Sequence, residues 1–209
     1  MPKDKTETYQ KIIPCAKREF LAKGFEKASL RTIAADAGMT AAGLYRHFAD
    51  KEAMFEELVA PAVKGLNDIF LAVQRDFDQL PPDIKRETAF DYSTDNLKNF
   101  IAFIYEHFDQ FKLLITCAGG TVYADFIHSL VEIEVEYTLK FIESTGNDVL
   151  TSGRITPEFM HIVASAFFSA VFEVVKHDMT REAADTYIEN LRQFFTAGWR
   201  AILGMRYEP

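Results

Sequence analysis

Cysteine is scarce in this chain of 209 residues, and its two copies, Cys15 and Cys117, lie far apart. The sequence also has no CxxC pattern of the kind that holds zinc. The amino terminus is polar and lacks the apolar segment of a secretion signal. We therefore expect two free thiols, no disulfide scaffold and a location in a reducing cytoplasm.

Long apolar runs and the common catalytic signatures are missing as well. The longest nearly continuous apolar segment, residues 162–172, is too short to cross a membrane and is interrupted by serines. The chain contains no glycine-rich phosphate loop and no nucleophile elbow. We expect no membrane partner, and the sequence shows no motif of a nucleotide-binding enzyme or a serine hydrolase.

One pattern keeps a metal-dependent helical enzyme open as an alternative. Asp125 and His128 have the carboxylate-x-x-His spacing found in one half of a di-iron site, and Glu158 and His161 repeat it. Because the chain has 31 acidic residues, a match or two is expected by chance. The additional bridging glutamates have no clear candidates. We therefore expect no enzymatic activity, no metal and no cofactor.

The amino-terminal part of the sequence predicts two short helices joined by a glycine turn. Ser29 is a suitable N-cap, and apolar residues follow it at helical spacing. Gly38 ends this helix, because only glycine enters the left-handed conformation without steric cost. Thr40 caps a second helix that carries Tyr45 and Phe48. Helices joined this tightly cross steeply, so the second helix is left exposed, projects its tyrosine outward and can enter a major groove.

These residues resemble the DNA-binding domain of the tetracycline-repressor (TetR) family of transcriptional regulators. Upstream, Ile12, Ile13, Ala16, Phe20 and Gly24-Phe25 resemble the first helix of the family and its ending. Downstream, Leu44-Tyr45-Arg46-His47-Phe48 with Lys51-Glu52 is similar to the family's L-Y-x-x-F-x-x-K-E signature. The resemblance covers about the first quarter of the chain and joins several residue types at fixed spacing across three helices.

The resemblance implies that exposed residues of the second and third helices touch DNA. Arg31 is long enough to reach a guanine edge or a phosphate, and Tyr45 can contact a thymine methyl group or a phosphate. His47 and Lys51 can hold backbone phosphates. Gly43 indicates either a close approach of the backbone to the duplex or simple tolerance of glycine. The residues expected at the DNA are Arg31, Thr40, Ala41, Ala42, Gly43, Tyr45, His47 and Lys51.

Charge is distributed unevenly along the chain. Residues 1–55 carry ten lysines and arginines against seven aspartates and glutamates, a net charge of +3, whereas the remaining residues carry −11. Only the amino-terminal part is suited to approach DNA, and the acidic remainder keeps nonspecific affinity low. Specific binding is therefore expected to depend on a dimer and on shape complementarity.

Beyond this part the sequence predicts long helices separated by turn residues, without strand-like alternation. We expect an all-α fold of about nine helices in two domains. A helix-turn-helix DNA-binding domain occupies residues 1–52, with its core at 29–48. A larger helical domain for effector binding and dimerisation occupies residues 53–209.

Three residues set expectations for individual helices. Pro14 removes one hydrogen bond from the first helix, which either bends there or begins late, and Pro61 kinks the fourth helix. Thr121 is predicted to cap a long seventh helix that ends near Gly146.

The predicted eighth helix is apolar almost all round between residues 162 and 175. A helix that is apolar on every side has to be covered on every side. We expect the eighth and ninth helices of a second subunit as the cover, around a two-fold axis, and the family resemblance implies the same. Burial within one subunit is the alternative. The candidate interface residues are Phe168, Phe172, Phe195 and Trp199.

The chain has 19 phenylalanines and eight tyrosines, more than a minimal core needs. An aromatic-lined cavity among the fourth to eighth helices suits a flat or lipophilic effector. The resemblance implies a homodimeric repressor of a palindromic operator in double-stranded DNA, which such a small molecule releases; an effector-independent DNA-binding protein is the alternative. Candidate lining residues, each of which is also suited to an ordinary core, are Phe70, Phe103, His107, Cys117, Tyr123, Phe126 and Phe167.

Overall fold

A computed structural model describes the backbone of residues 5–205 and the side chains of residues 8–205. Within these residues the chain forms nine α-helices and no strand, which confirms the all-α fold. The helices are α1 (Lys5–Lys27), α2 (Leu30–Asp36), α3 (Ala41–Leu44), α4 (Lys51–Asp78), α5 (Pro82–Glu106), α6 (Phe108–Cys117), α7 (Phe126–Thr145), α8 (Pro157–Lys176) and α9 (Arg181–Leu203).

The helices are divided between two compact units. Unit 1 comprises the residues up to Gly65 together with His107–Ala124, and so holds α1, α2, α3 and α6. Unit 2 comprises Leu66–Glu106 and the residues from Asp125 onward, and so holds α5, α7, α8 and α9. The amino-terminal half of α4 belongs to unit 1 and its carboxyl-terminal half to unit 2.

The core of unit 1 is built around three aromatic rings. Phe20 and Phe55 meet edge to face with their centroids 5.2 Å apart, and Phe25 lies 6.1 Å from Phe20. Gly24 has φ 71° and ψ 167°, a combination that is essentially restricted to glycine. The regular part of α1 therefore ends at Gly24, which brings Phe25 into contact with Phe20.

Pro14 and Pro61 both lie inside long helices. α1 begins at Lys5, well before Pro14, and α4 continues through Pro61. Of the two alternatives expected at Pro14, the late start of the first helix is therefore wrong. A proline inside a helix removes one hydrogen bond, and here Ile12 and Ala16 on either side of Pro14 are fully buried. Their burial holds α1 against the core in spite of the missing bond.

The segment before α7 also differs from the expectation. The hydroxyl of Thr121 donates to the carbonyl of Ala118 over 2.8 Å and accepts the N–H of Tyr123 over 3.1 Å. Thr121 thus closes a turn after α6, and α7 begins only at Phe126. The carboxyl end is as expected, because Gly146 follows α7 in the left-handed conformation with φ 65°.

One face of α8 is buried within its own unit. Phe168 is 3% exposed and Phe172 is 1% exposed. The ring of Phe70 lies 5.6 Å from that of Phe168, and the ring of Phe126 lies 5.8 Å from that of Phe172. The assignment of Phe168 and Phe172 to a dimer interface is therefore wrong, because helices of the same unit already cover both rings.

Length and composition alone would also allow α8 to cross a membrane. The core helix of a soluble protein passes the same test of length and composition. Phe168 and Phe172 of α8 are buried, as residues of such a core helix are.

Candidate nucleic-acid interface and effector cavity

The helix-turn-helix of unit 1 is formed by α2 and α3. The side-chain oxygens of Ser29 and Thr40 each accept a hydrogen bond from the N–H three residues ahead, so both residues cap their helices as predicted. Gly38 lies between the helices in the left-handed region with φ 70°. Ile33 of α2 and Leu44 of α3 are buried, which fixes the two helices to the core of the unit.

The recognition segment has a shorter helix than predicted. α3 ends at Leu44, and the chain continues in tight turns in which the N–H groups of His47 and Phe48 both bond to the carbonyl oxygen of Leu44. Tyr45 lies at the start of these turns and is 54% exposed, whereas Phe48 is buried. The expectation that the tyrosine projects outward is confirmed. The segment that can meet DNA is α3 together with the turn up to Phe48.

The eight predicted DNA-contacting residues all lie on α2, on α3, on its flanks or at the start of α4. The exposed ones are Arg31, Thr40, Ala42 and Tyr45, and the partly buried ones are Ala41, Gly43, His47 and Lys51. Arg46, which the sequence analysis did not include, is exposed beside Tyr45.

Lys51 makes internal contacts that the sequence analysis missed. Its Nζ donates to the carbonyl oxygens of Glu26, over 2.9 Å, and Ala28, over 3.4 Å. The same ammonium lies 4.6 Å from the ring centroid of Phe25. Lys51 therefore caps carbonyl groups at the end of α1 and joins them to the start of α4. An ammonium group has three N–H donors, so a third donor is left for a phosphate.

Residues 12–58, which contain this motif, match the family model of the bacterial regulatory proteins of the tetR family. These residues thus form a DNA-binding domain of the tetR family. The chain is a DNA-binding transcriptional regulator.

Known proteins similar to this chain are themselves transcriptional regulators. The regulator AcrR of Shigella flexneri is 35% identical over 81 residues, which are 39% of this chain and 38% of AcrR. UidR of Escherichia coli strain K12 is 21% identical over 202 residues, which are 94% of this chain and 91% of UidR. These relatives belong to a class of proteins that are not enzymes.

A solved structure shares the fold. The TetR-like transcriptional regulator from Rhodococcus sp. RHA1 is 20% identical, and the match covers 94% of this chain and 96% of that chain with a TM-score of 0.50.

Unit 2 of this chain has a cavity of about 230 Å³. Side chains of α4, α5, α7, α8 and α9 line it, and nearly half of the lining residues are aromatic. The rings that contribute include Phe70, Phe77, Phe100, Phe167, Phe195 and Trp199.

The predicted lining residues are only partly brought together. Phe70 and Phe167 border the cavity. Phe126 packs against Phe172 instead, and Phe103 lies half-buried in α5 away from the lining. The other three predicted residues, His107, Cys117 and Tyr123, belong to unit 1.

Phe195 and Trp199, which were predicted at the dimer interface, line the cavity instead. Helical spacing identifies inward-facing rings, but it does not say which of them border an open space.

A half-buried carboxyl group on the cavity wall is the main feature that the sequence analysis missed. Glu134 of α7 accepts a hydrogen bond from Gln74 Nε2 of α4 over 2.7 Å and another from the hydroxyl of Thr138. Burial raises the pKa of the Glu134 carboxyl above its ordinary value, and these two hydrogen bonds oppose the rise. The sequence signal was weak, because Glu134 is one of many acidic residues in α7.

Arg192 of α9 also lines the cavity, but its charge is already balanced. Its Nε and Nη2 donate to the Glu189 carboxylate over 2.9 and 2.6 Å, and its Nη1 donates to the hydroxyl of Thr94. Hydrogen bonds from Arg192 and then from Gln193 lower the pKa of Glu189 to about 2. The guanidinium group is therefore held in an ion pair with Glu189.

The two carboxylate-x-x-His patterns meet at their histidines. The rings of His128 and His161 lie 5.2 Å apart at an interplanar angle of 68°, and His128 Nε2 is 3.4 Å from Glu132 Oε1. Over the part of the chain that the structure describes, no group of three or more potential ligands is arranged to hold a metal ion.

An apolar surface remains uncovered on α8 and α9. Ile162 of α8 is 65% exposed and Phe194 of α9 is 74% exposed. On each helix the exposed residues recur three or four positions apart, so they share one face. The small exposed residues on these faces are Ala166, Ser169, Ala197, Gly198 and Ala201.

Proposed function

We propose that this tetR-family regulator is a homodimeric repressor of a palindromic operator, released by a small aromatic or lipophilic effector that binds in the cavity of unit 2. The observation that carries the DNA-binding part is the exposed Tyr45, which stands between the buried residues Leu44 and Phe48 inside the matched family span. A cytoplasmic location follows from this function.

For DNA binding we keep the eight residues of the sequence analysis. Arg31 and Tyr45 have the reach and exposure for base edges or phosphates. His47 and the third N–H of Lys51 serve phosphates. Because α3 is short and carries small residues, few base edges can be read directly, so binding should depend strongly on salt and on the pairing of two half-sites. The proposed contacts are Arg31, Thr40, Ala41, Ala42, Gly43, Tyr45, His47 and Lys51.

For the dimer we assign a different face from the one that the sequence suggested. A second copy of the chain, packed on the exposed faces of α8 and α9, would cover Ile162 and Phe194. The alanines, the serine and Gly198 on these faces allow close approach of helices. Two-fold symmetry would place the same patch opposite itself and present two recognition segments to one operator.

For induction, α4 is the element that both units share. Its first residue, Lys51, is bonded to the end of α1, and its later residues Phe70 and Gln74 line the cavity. An effector that binds better to one position of α4 shifts the population toward that position. The effector then lowers DNA affinity by the ratio of its affinities for the two states.

Selection of bound duplexes from a random pool tests this function. We expect the purified protein to enrich a palindrome whose half-sites lie about one helical turn apart. The Tyr45→Ala variant should lose this enrichment while keeping its melting temperature, because Tyr45 is exposed. Failure of the unaltered protein to enrich any sequence, or an enriched site without symmetry, would contradict the proposal.

A further inference from the structure

We propose that the unit 2 cavity selects a lipophilic cation, a compact aromatic amine whose positive charge pairs with the Glu134 carboxylate. The inference rests on the proposed function in one respect, namely that the cavity is the effector site, and it adds the charge class of the effector.

The apolar part of the ligand follows from the wall. A volume of about 230 Å³ lies below the range of about 300–1,000 Å³ that is usual for ligand pockets. The cavity therefore suits a compact ring system better than a long chain. Rings such as Phe70, Phe167 and Trp199 offer stacking surfaces for it. The faces of aromatic rings carry partial negative charge, so they attract a cation more than an anion.

The charge of the ligand follows from Glu134. Glu134 is half-buried on the cavity wall, and its hydrogen-bond donors, Gln74 and Thr138, are neutral. A desolvated carboxylate without a counter-ion is costly, and the rise in the pKa of Glu134 expresses that cost. A bound ammonium or protonated ring nitrogen would supply the missing positive charge.

The other polar groups of the cavity wall do not supply a positive charge to Glu134. Among the described residues that line the cavity, Arg192 is the one cation, and its guanidinium group is held by Glu189 and Thr94. Tyr92 and Tyr137 are the further titratable groups of the lining; Tyr92 is neutral at physiological pH, since burial raises its pKa. An anionic ligand would have to compete with Glu189 for Arg192 and would lie near the Glu134 carboxyl. The wall therefore favours positive charge.

Matched pairs of probes test the inference with the full-length protein. 9-Aminoacridine is a cation at neutral pH and acridine is its neutral counterpart; 4-aminoquinoline and quinoline form a smaller pair. We expect calorimetric titration to give at least tenfold tighter binding for the cation of at least one pair. The Glu134→Gln variant should lose this preference while binding the neutral member as before. The Glu136→Gln variant, altered on the exposed side of α7, should keep the preference.

Three results would overturn the inference: equal binding of the cationic and neutral members, retention of the preference in Glu134→Gln, or no binding of any of the four probes. Release of an operator duplex separates this inference from the proposed function. If the cations bind through Glu134 without releasing DNA, the charge assignment stands and induction through the cavity fails. If a neutral or anionic compound releases DNA and the cations do not bind, induction stands and the charge assignment fails.

Discussion

The ammonium group of Lys51 donates to the carbonyl oxygen of Glu26 over 2.9 Å and so ties the first residue of α4 to the end of α1. A hydrogen bond from a charged group contributes about 1–3 kcal/mol, so we expect Lys51→Met to lower the free energy of unfolding by about 1–2 kcal/mol. If the third N–H holds a phosphate, a plot of the logarithm of operator affinity against the logarithm of salt concentration should also become less steep, by about one unit of slope. Chemical denaturation and binding titrations at several salt concentrations measure the two effects.

The matched control for this prediction is Lys98→Met. Lys98 pairs with Asp95 on an exposed surface of unit 2. Its loss should change stability by about 0.5 kcal/mol or less and leave the salt slope unaltered. Equal stabilities of Lys51→Met and Lys98→Met would refute the anchoring role of Lys51.

Gly24 provides a test of the end of α1. With φ 71° and ψ 167° it occupies a region that L side chains avoid, so Gly24→Ala should cost about 1–3 kcal/mol of stability. Gly119→Ala is the control, because a Cβ there meets nothing within 4 Å and its φ is not positive. Urea unfolding compares the two variants. A loss of the same size in both would show that the backbone angle of Gly24 is not the cause.

The Gly43→Ala variant distinguishes two explanations of this glycine, a close approach of the backbone to DNA and simple tolerance of glycine. A Cβ there would meet Thr40 Oγ1 at 3.4 Å and Met39 Cβ at 3.9 Å, which are ordinary contacts, so Gly43→Ala should fold at least as stably as the unaltered protein. If the backbone of α3 lies against the duplex, operator affinity should fall about tenfold, or about 1.4 kcal/mol. Fluorescence anisotropy with the selected duplex measures this affinity. Unchanged affinity would leave tolerance as the explanation.

The exposed face of α9 predicts where the dimer is held. Phe194→Asp places a charge on that face, so we expect a folded monomer in sedimentation at micromolar concentration and weaker operator binding. Phe168→Ala is a contrasting variant, since removal of a buried ring should cost about 3–5 kcal/mol of stability without a specific effect on association. A Phe194→Asp protein that sediments as a dimer would exclude this face.

Glu134 predicts a pH dependence of stability in the absence of ligand. Because its folded pKa is raised, the folded chain holds a proton that the unfolded chain has released at pH values between the two pKa values. Stability should therefore fall as the pH rises from about 4.5, the ordinary value, through the folded pKa. Melting temperatures across this range measure the slope.

The Glu134→Gln variant should flatten this slope, and Glu136→Gln should leave it as it is. Slopes that are the same in Glu134→Gln and the unaltered protein would show that another group controls the pH dependence.

Local signals made the DNA-binding part accessible from the sequence. The caps at Ser29 and Thr40, the left-handed Gly38 and the outward Tyr45 all depend on residues within one or two turns of one another. The length of α3 was missed, because the turn after Leu44 continues with helix-like hydrogen bonds and differs little from a helix in its sequence pattern.

The roles of the side chains in the effector-binding part could be assigned only from the tertiary structure. Helical spacing places Phe172, Phe194 and Trp199 alike on apolar helix faces, yet Phe172 is buried in its own subunit, Phe194 is exposed and Trp199 borders the cavity. Periodicity states that a side chain must be covered but not which helix covers it, because that depends on how distant segments pack. The position of Glu134 on the cavity wall was decided in the same way, and α4 supplies its partner Gln74 from 60 residues away.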